Sequence, residues 1–254
     1  TMLRDAMVAN HKGDYELATN LHRELLAIQS QAVGPESVVV GETLLDLALN
    51  VSNQGRFLEA DALFRRAEPL IAPQSSGVLR ARLKNYRALD AANKNDFVAA
   101  LAHARDAVAT WSKMRSDSLQ SATEAYIDTW NGNSRSRLTA ELAYALHLES
   151  AMLLRNDDAK TAYERSVEAL RLASSVQEFP LEWRAELMMT LGECAMAMGR
   201  TASAEEYFKT AQEVRQFVFG PTLPTIKTTV VLGRAYHSEG IDTSAVSAYR
   251  DAFT

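Results

Sequence analysis

Gly13-Asp14-Tyr15-Glu16-Leu17-Ala18-Thr19-Asn20-Leu21-His22-Arg23-Glu24-Leu25-Leu26-Ala27-Ile28 is the stretch from which the fold can be read. A glycine turn opens it, and Ala18, His22, Leu25 and Ile28 then recur at three and four, on one stripe of a helix. Slid forward along the chain, the pattern lands first on Gly55-Arg56-Phe57, Ala60, Phe64, Ala67 and Leu70, and next on Asn95-Asp96-Phe97, Ala100, Ala104, Ala107 and Thr110. It returns as Gly199-Arg200-Thr201, Ala204, Phe208, Ala211 and Val214, and once more as Gly240-Ile241-Asp242, Ala245, Tyr249 and Ala252. Five copies share one phase. Upstream of each turn a second helix carries a small residue at a fixed offset, Ala6, Ala48, Ala88, Gly192 or Gly233, where a neighbouring helix can approach closely. Such a period is the signature of a repeat array, in which each unit buries its apolar face only by stacking on the next.

The rest of the chain agrees with an all-α reading. Forty of the 254 residues are alanine, and glycine and proline fall in short clusters that cut the chain about every 20 residues. No strand-like alternation is sustained, and even Thr228-Thr229-Val230-Val231 runs on with helical spacing into Leu232 to Tyr236. The stretch from Ser112 to Lys160 departs from the period. The best next equivalent of Ala100 is Ala159, with Tyr163 and Ser166, which lies well beyond one period, so about one extra helix is inserted, with Leu119, Ala122, Tyr126, Ile127 and Trp130 on one face. The fourth repeat lacks the glycine turn and reads as degenerate. Repeats are expected over about 1–31, 36–72, 77–114, 138–176, 181–218 and 222–254, with the insertion over about 115–137.

Composition excludes several function classes. The net charge is -5 and the 27 basic residues are scattered, so nothing favours a phosphate backbone, and nucleic acid is not an expected partner. No apolar run approaches the roughly 18 to 20 residues that span a bilayer, so no membrane partner is expected, and a cytoplasmic location is. One cysteine, Cys194, cannot form an internal disulfide; among Gly192, Ala195 and Met196 it reads as a small buried hydrophobe. The five histidines are too dispersed to share a helix turn, and there is no His-Glu-x-x-His, phosphate-cradling glycine loop or Gly-x-Ser-x-Gly. Neither metal nor other cofactor is expected, and no convergent polar site suggests an enzyme.

The repeated residues resemble the tetratricopeptide repeat, whose pattern is Leu-Gly-x-x-Tyr on helix A, a Gly-Asp-Tyr-like turn, and Ala-x-x-x-Tyr/Phe-x-x-Ala on helix B. Leu232-Gly233-x-x-Tyr236, Gly240, Ala245, Tyr249 and Ala252 follow it closely. The period, roughly 40 to 42 residues, resembles the long-helix variant of kinesin light chains and many bacterial signalling proteins. The resemblance implies a right-handed α-solenoid of about six repeats, with the A helices lining a concave groove. The groove positions it implies include Leu45, Leu49 and Asn53, then Arg82, Asn85 and Leu89, then Tyr144 and Leu148, then Met189, Glu193 and Met196, and finally Lys227, Arg234 and His237. The middle of such a groove is apolar and suits a short peptide or amphipathic helix. The carboxylate clamp of the chaperone-binding subset is not formed, because Leu45, Leu49 and Tyr86 stand at its positions; Asp46, Thr190 and Val231 replace the asparagine ladder of kinesin light chains.

The expected function is therefore a non-catalytic scaffold for protein–protein interaction, whose partner is a protein or peptide, another domain of its own chain, or a second copy. The alternative is the regulatory or sensor segment of a larger multidomain enzyme such as a caspase-like (CHAT-type) protease or a kinase. Thr1 to His11 starts inside an A helix and Asp251 to Thr254 stops inside a B helix, so the expectation is a segment of a longer protein or a chain that another chain completes.

Overall fold

The computed structural model describes residues 2–71, 77–120 and 134–252. Among them there are twelve α-helices and no strand: α1 (Met2–His11), α2 (Tyr15–Val33), α3 (Val38–Asn53), α4 (Phe57–Ile71), α5 (Gly77–Asn93), α6 (Phe97–Gln120), α7 (Ser134–Arg155), α8 (Ala159–Ser174), α9 (Leu181–Ala197), α10 (Thr201–Phe219), α11 (Leu223–Ser238) and α12 (Asp242–Asp251). Two compact units divide within α6, residues 1–110 and 111–254. Odd-numbered helices are the A helices, even-numbered the B helices.

One turn recurs six times. The second residue after each A helix enters the left-handed region: Gly13, Gly55, Asn95, Asp157, Gly199 and Gly240, with φ between 61° and 80°. At Gly55 the geometry is a Schellman closure, in which Arg56 N–H reaches back to Val51 O at 3.2 Å and Gly55 N–H to Ser52 O at 2.8 Å, satisfying carbonyls that the helix end would otherwise orphan. The fourth repeat, expected to lack this turn, has it: Asp158 N–H bonds Leu153 O at 3.0 Å and Asp157 N–H bonds Leu154 O at 3.2 Å, with Asp157 in the place of glycine. Aspartate and asparagine tolerate that conformation better than other side chains, which is why the sequence hides the turn. Asp158 then caps α8 by accepting from Thr161 N–H at 3.1 Å, as Asp14 caps α2 through Leu17 N–H.

Each A helix meets its B helix at the small residue. A side-chain carbon on Gly192 would collide with the Phe208 ring, and one on Gly233 would sit 2.7 Å from the Tyr249 ring. In α7 and α8 the same sequence spacing joins Ser150 to Ser166, whose hydroxyls are 2.6 Å apart. This fixes the register of the fourth repeat. Its buried B-helix residues are Ala162, Ser166 and Ala169 rather than Ala159, Tyr163 and Ser166, because residues three apart share a helix face and the periodic pattern is displaced by one such step.

In unit 1–110, Val40, Leu44, Leu47, Ala48, Val51, Ala60, Phe64, Ala67 and Ile71 make one buried cluster between α3 and α4. In unit 111–254, Ala195, Ala204, Phe208, Leu232 and Ala235 make another, joining α9, α10 and α11. The inserted segment begins later than expected, since α6 continues to Gln120, and α7 begins earlier, at Ser134. Of the residues expected on the inserted helix, Ala122, Tyr126, Ile127 and Trp130 lie outside the described residues, as does the side chain of Leu119.

Two substitutions test this packing by urea unfolding. Gly192→Ala forces Phe208 to move and lowers stability by about 1 to 3 kcal/mol. Asp157→Gly removes the left-handed penalty of a side chain and raises stability by about 1 kcal/mol; a loss there would contradict the turn.

Candidate partner-binding face

With the small residue of each A helix turned to its own B helix, the positions six and three before it, and one, four and five after it, share an adjoining face. In unit 111–254 the file on α7 is Tyr144, His147, Ala151, Leu154 and Arg155; on α9 it is Glu186, Met189, Glu193 and Met196; on α11 it is Lys227, Val230, Arg234 and His237. In unit 1–110 it is Glu42, Leu45, Leu49 and Asn53 on α3, and Arg82, Asn85, Leu89 and Asn93 on α5. The two sets behave differently.

The α3 and α5 faces are laced together by polar pairs one repeat apart. Arg82 Nη1 meets Glu42 Oε1 at 2.6 Å, Tyr86 donates to Asp46 Oδ1 at 2.9 Å, Ser52 donates to Asp90 Oδ1 at 2.8 Å, and Asn93 Nδ2 donates to Asn53 Oδ1 at 2.9 Å. The ladder continues to α1 and α2, where Asn50 bridges Asn10 and the buried His22. Leu45 at 0 % exposure, Asn85 at 2 % and Leu49 at 8 % are core residues and offer a partner no surface, which corrects the expectation of an apolar groove here. Asp46 sits inside this ladder. Burial pushes its carboxyl above the usual carboxylate range against the pull of Arg82, of His22 3.9 Å away, and of the Tyr86 hydroxyl.

A recess elsewhere in this unit is lined by Glu68, Arg87, Asp90, Lys94 and His103. Its charges are already engaged with one another: Arg87 meets Glu68 at 2.5 Å and stacks over Phe64, and Lys94 bridges Asp61 at 2.8 Å and Asp90 at 2.7 Å. Burial opposes the Lys94 charge, but the hydrogen bonds to these two carboxylates outweigh it and hold the ammonium above its ordinary value.

The α7, α9 and α11 faces are less closed. Tyr144, Met189, Glu193, Met196 and Val230 are half-buried, and Arg155, Lys227, Arg234 and His237 are exposed. Tyr144 stacks on Trp183 at 4.5 Å between ring centroids, with Phe179 edge-on to Trp183, and burial pushes its phenol well above the ordinary range. His147 Nδ1 and Thr190 Oγ1 are 3.1 Å apart, with Glu186 3.7 Å from Nε2, so this pair ties α7 to α9. Burial raises the Glu193 carboxyl although Arg155, His147, Arg215 and Arg234 all pull the other way. His237 meets Asp242 at 3.1 Å on the exposed end of α11.

Leu148, expected in this file, is only 2 % exposed and packs inward; the fourth repeat is displaced by three residues, and the place expected for Leu148 is taken by Ala151. The same displacement conceals His147, Leu154 and Arg155, and Trp183 lies one turn before any repeat position. The offset from Ser150 to Ser166, equal to that from Gly192 to Phe208, is the signal that finds them. Cys194 is fully buried beneath the face, its sulfur 3.8 Å from Ser150 Oγ, and burial raises its thiol. Among the described residues no group of three or more His, Cys, Asp and Glu could hold a metal ion, and no helix is long and apolar enough to cross a membrane.

Residues 1–71 and 183–254, more than half of the chain, match the tetratricopeptide repeat family, and the chain belongs to that family. No curated protein matches it. Among solved structures it is similar to BtubC (BKLC) from P. vanneervenii, at 15 % identity and a TM-score of 0.63, over 96 % of this chain and 89 % of that one. A Rap protein complexed with Competence and Sporulation Factor is similar at 15 % identity and 0.63, over 99 % of this chain and 74 % of that one. Aspartyl phosphate phosphatase F from Bacillus subtilis is similar at 15 % identity and 0.59; this chain, 91 % covered, spans 54 % of it. At these identities the likeness is one of fold.

The position of Asp46 gives a pH test. Because the folded state holds this proton to a higher pH than the unfolded chain does, the site favours folding most at acid pH and loses that contribution as pH rises through the interval between the two values. Asp46→Asn keeps an acceptor for Tyr86 and removes the buried charge. The melting temperature of the variant should equal or exceed that of the parent at neutral pH, with the difference shrinking as pH falls toward the ordinary carboxylate value; a difference that grows toward acid would reverse the sign.

Proposed function

We propose that this chain is a non-catalytic protein-interaction scaffold, cytoplasmic, that binds a peptide or amphipathic helix along the A-helix face of residues 111–254. The observation that carries the reading is the half-buried row of Tyr144, Met189, Met196 and Val230 beside exposed Arg155, Lys227, Arg234 and His237. Methionine is flexible and polarizable, so such a row adapts to a partner's apolar side chains, while the flanking charges fix its register. Stacked repeats present extended surfaces of this kind without any catalytic group. The Rap protein solved with Competence and Sporulation Factor gives a protein of the same fold that holds a partner. The closed ladder between α3 and α5 supports the choice of unit, since its polar groups are already paired with one another.

The test is affinity capture with the wild-type chain and with a Met189→Asp, Met196→Asp variant whose helical circular dichroism is unchanged. Binding of the captured partner should fall at least about tenfold, the cost of introducing two carboxylates at the centre of an apolar contact. Unchanged binding by the folded variant would move the interaction off this face.

A further inference from the structure

The same face has an uneven distribution of charge. Arg155, Lys227 and Arg234 are exposed, and among the described residues none of the three has a carboxylate within 4.0 Å. On the A-helix face of residues 1–110, by contrast, Arg82 is held by Glu42. In a protein of net charge -5, these three cations share their face with the half-buried apolar row of Tyr144, Met189, Met196 and Val230. Glu193 is half-buried and feels Arg155 and Arg234 together with His147 and Arg215. Arg215 is engaged with the α11 backbone, 3.0 Å from Pro224 O, and His147 with Thr190, so neither is available to a ligand. With Glu186 and Glu193 set against Arg155, Lys227 and Arg234, the face still carries more positive than negative charge.

We propose that the partner of this face is an acidic peptide segment whose apolar side chains lie on Met189, Met196 and Val230 and whose carboxylates engage Arg155, Lys227 and Arg234. This rests on the proposed binding function and adds the chemistry of the ligand. Arginine suits the task, since its planar fork meets a carboxylate with two parallel hydrogen bonds. Charges at the rim of an apolar patch set the choice of partner and its rate of arrival more than raw affinity, so the prediction concerns selectivity. Glu193 opposes such a ligand. Removing its charge removes a repulsion of the ligand's carboxylates, and Glu193→Gln should tighten binding where loss of an arginine loosens it.

A displayed library of random short peptides, selected against the wild-type chain, is the direct test. The recovered peptides should pair two or more apolar residues with an excess of Asp and Glu. Their affinity, by fluorescence anisotropy, should fall at least about tenfold in Arg155→Ala, Arg234→Ala, rise in Glu193→Gln, and weaken with added salt. Peptides that are lost in Met189→Asp, Met196→Asp but carry no acidic excess, and bind the arginine variant undiminished, would overturn the inference and leave the groove reading standing. Peptides indifferent to the methionine substitutions, or no peptide recovered at all, would overturn both.

Discussion

The close approach of each A helix to its own B helix, at a position too small to push back, is the constraint on which the rest depends. Gly192 against Phe208 and Gly233 against Tyr249 leave no room for a single added carbon. Ser150 and Ser166 make the same approach with hydroxyls: Ser150 gives its one proton to Ala162 O at 2.6 Å and therefore accepts from Ser166. Once that contact is fixed, the helix has no rotational freedom left. Which side chains stack on the neighbouring repeat, and which remain to face a partner, follow from the roughly 100° step of the helix.

Much of this is legible in the sequence because it repeats. The phase of five copies, the small residue before each turn and the helical nature of Thr228 to Val231 all emerge from spacing alone. What is not legible is hidden for definite reasons. Asp157 performs the turn that glycine performs elsewhere, so a search for glycine misses it. Without that anchor, Ala159 and Ala162 are equivalent to a periodicity argument, and the fourth repeat is read three residues out of register, with Leu148 taken for Ala151. The polar ladder is hidden for another reason: Glu42 and Arg82, or Asn53 and Asn93, are pairs only when helices one full repeat apart lie side by side. A file of groove positions read from one helix at a time cannot show that its members are already engaged with each other.

The two units thus use one architecture in opposite ways. In residues 1–110 the A-helix face is occupied by its own hydrogen bonds and buried leucines, a rigid arrangement whose polar groups stabilise each other where water is scarce. In residues 111–254 the same positions hold methionines, an aromatic stack and exposed cations. A scaffold that must hold a shape and also accept a partner needs both, and the sequence distributes them between its halves by changing side chains at fixed repeat positions while the backbone pattern stays the same.

The measurement that bears most directly on this account is the map of amide shifts in the isotope-labelled chain as a peptide selected by it is added. The account predicts perturbations concentrated at Tyr144, His147, Met189, Glu193, Met196 and Arg234, with α3 and α5 unmoved. Perturbations centred on the exposed B-helix residues Val167 and Phe217, or on Glu42 and Arg82, would contradict it.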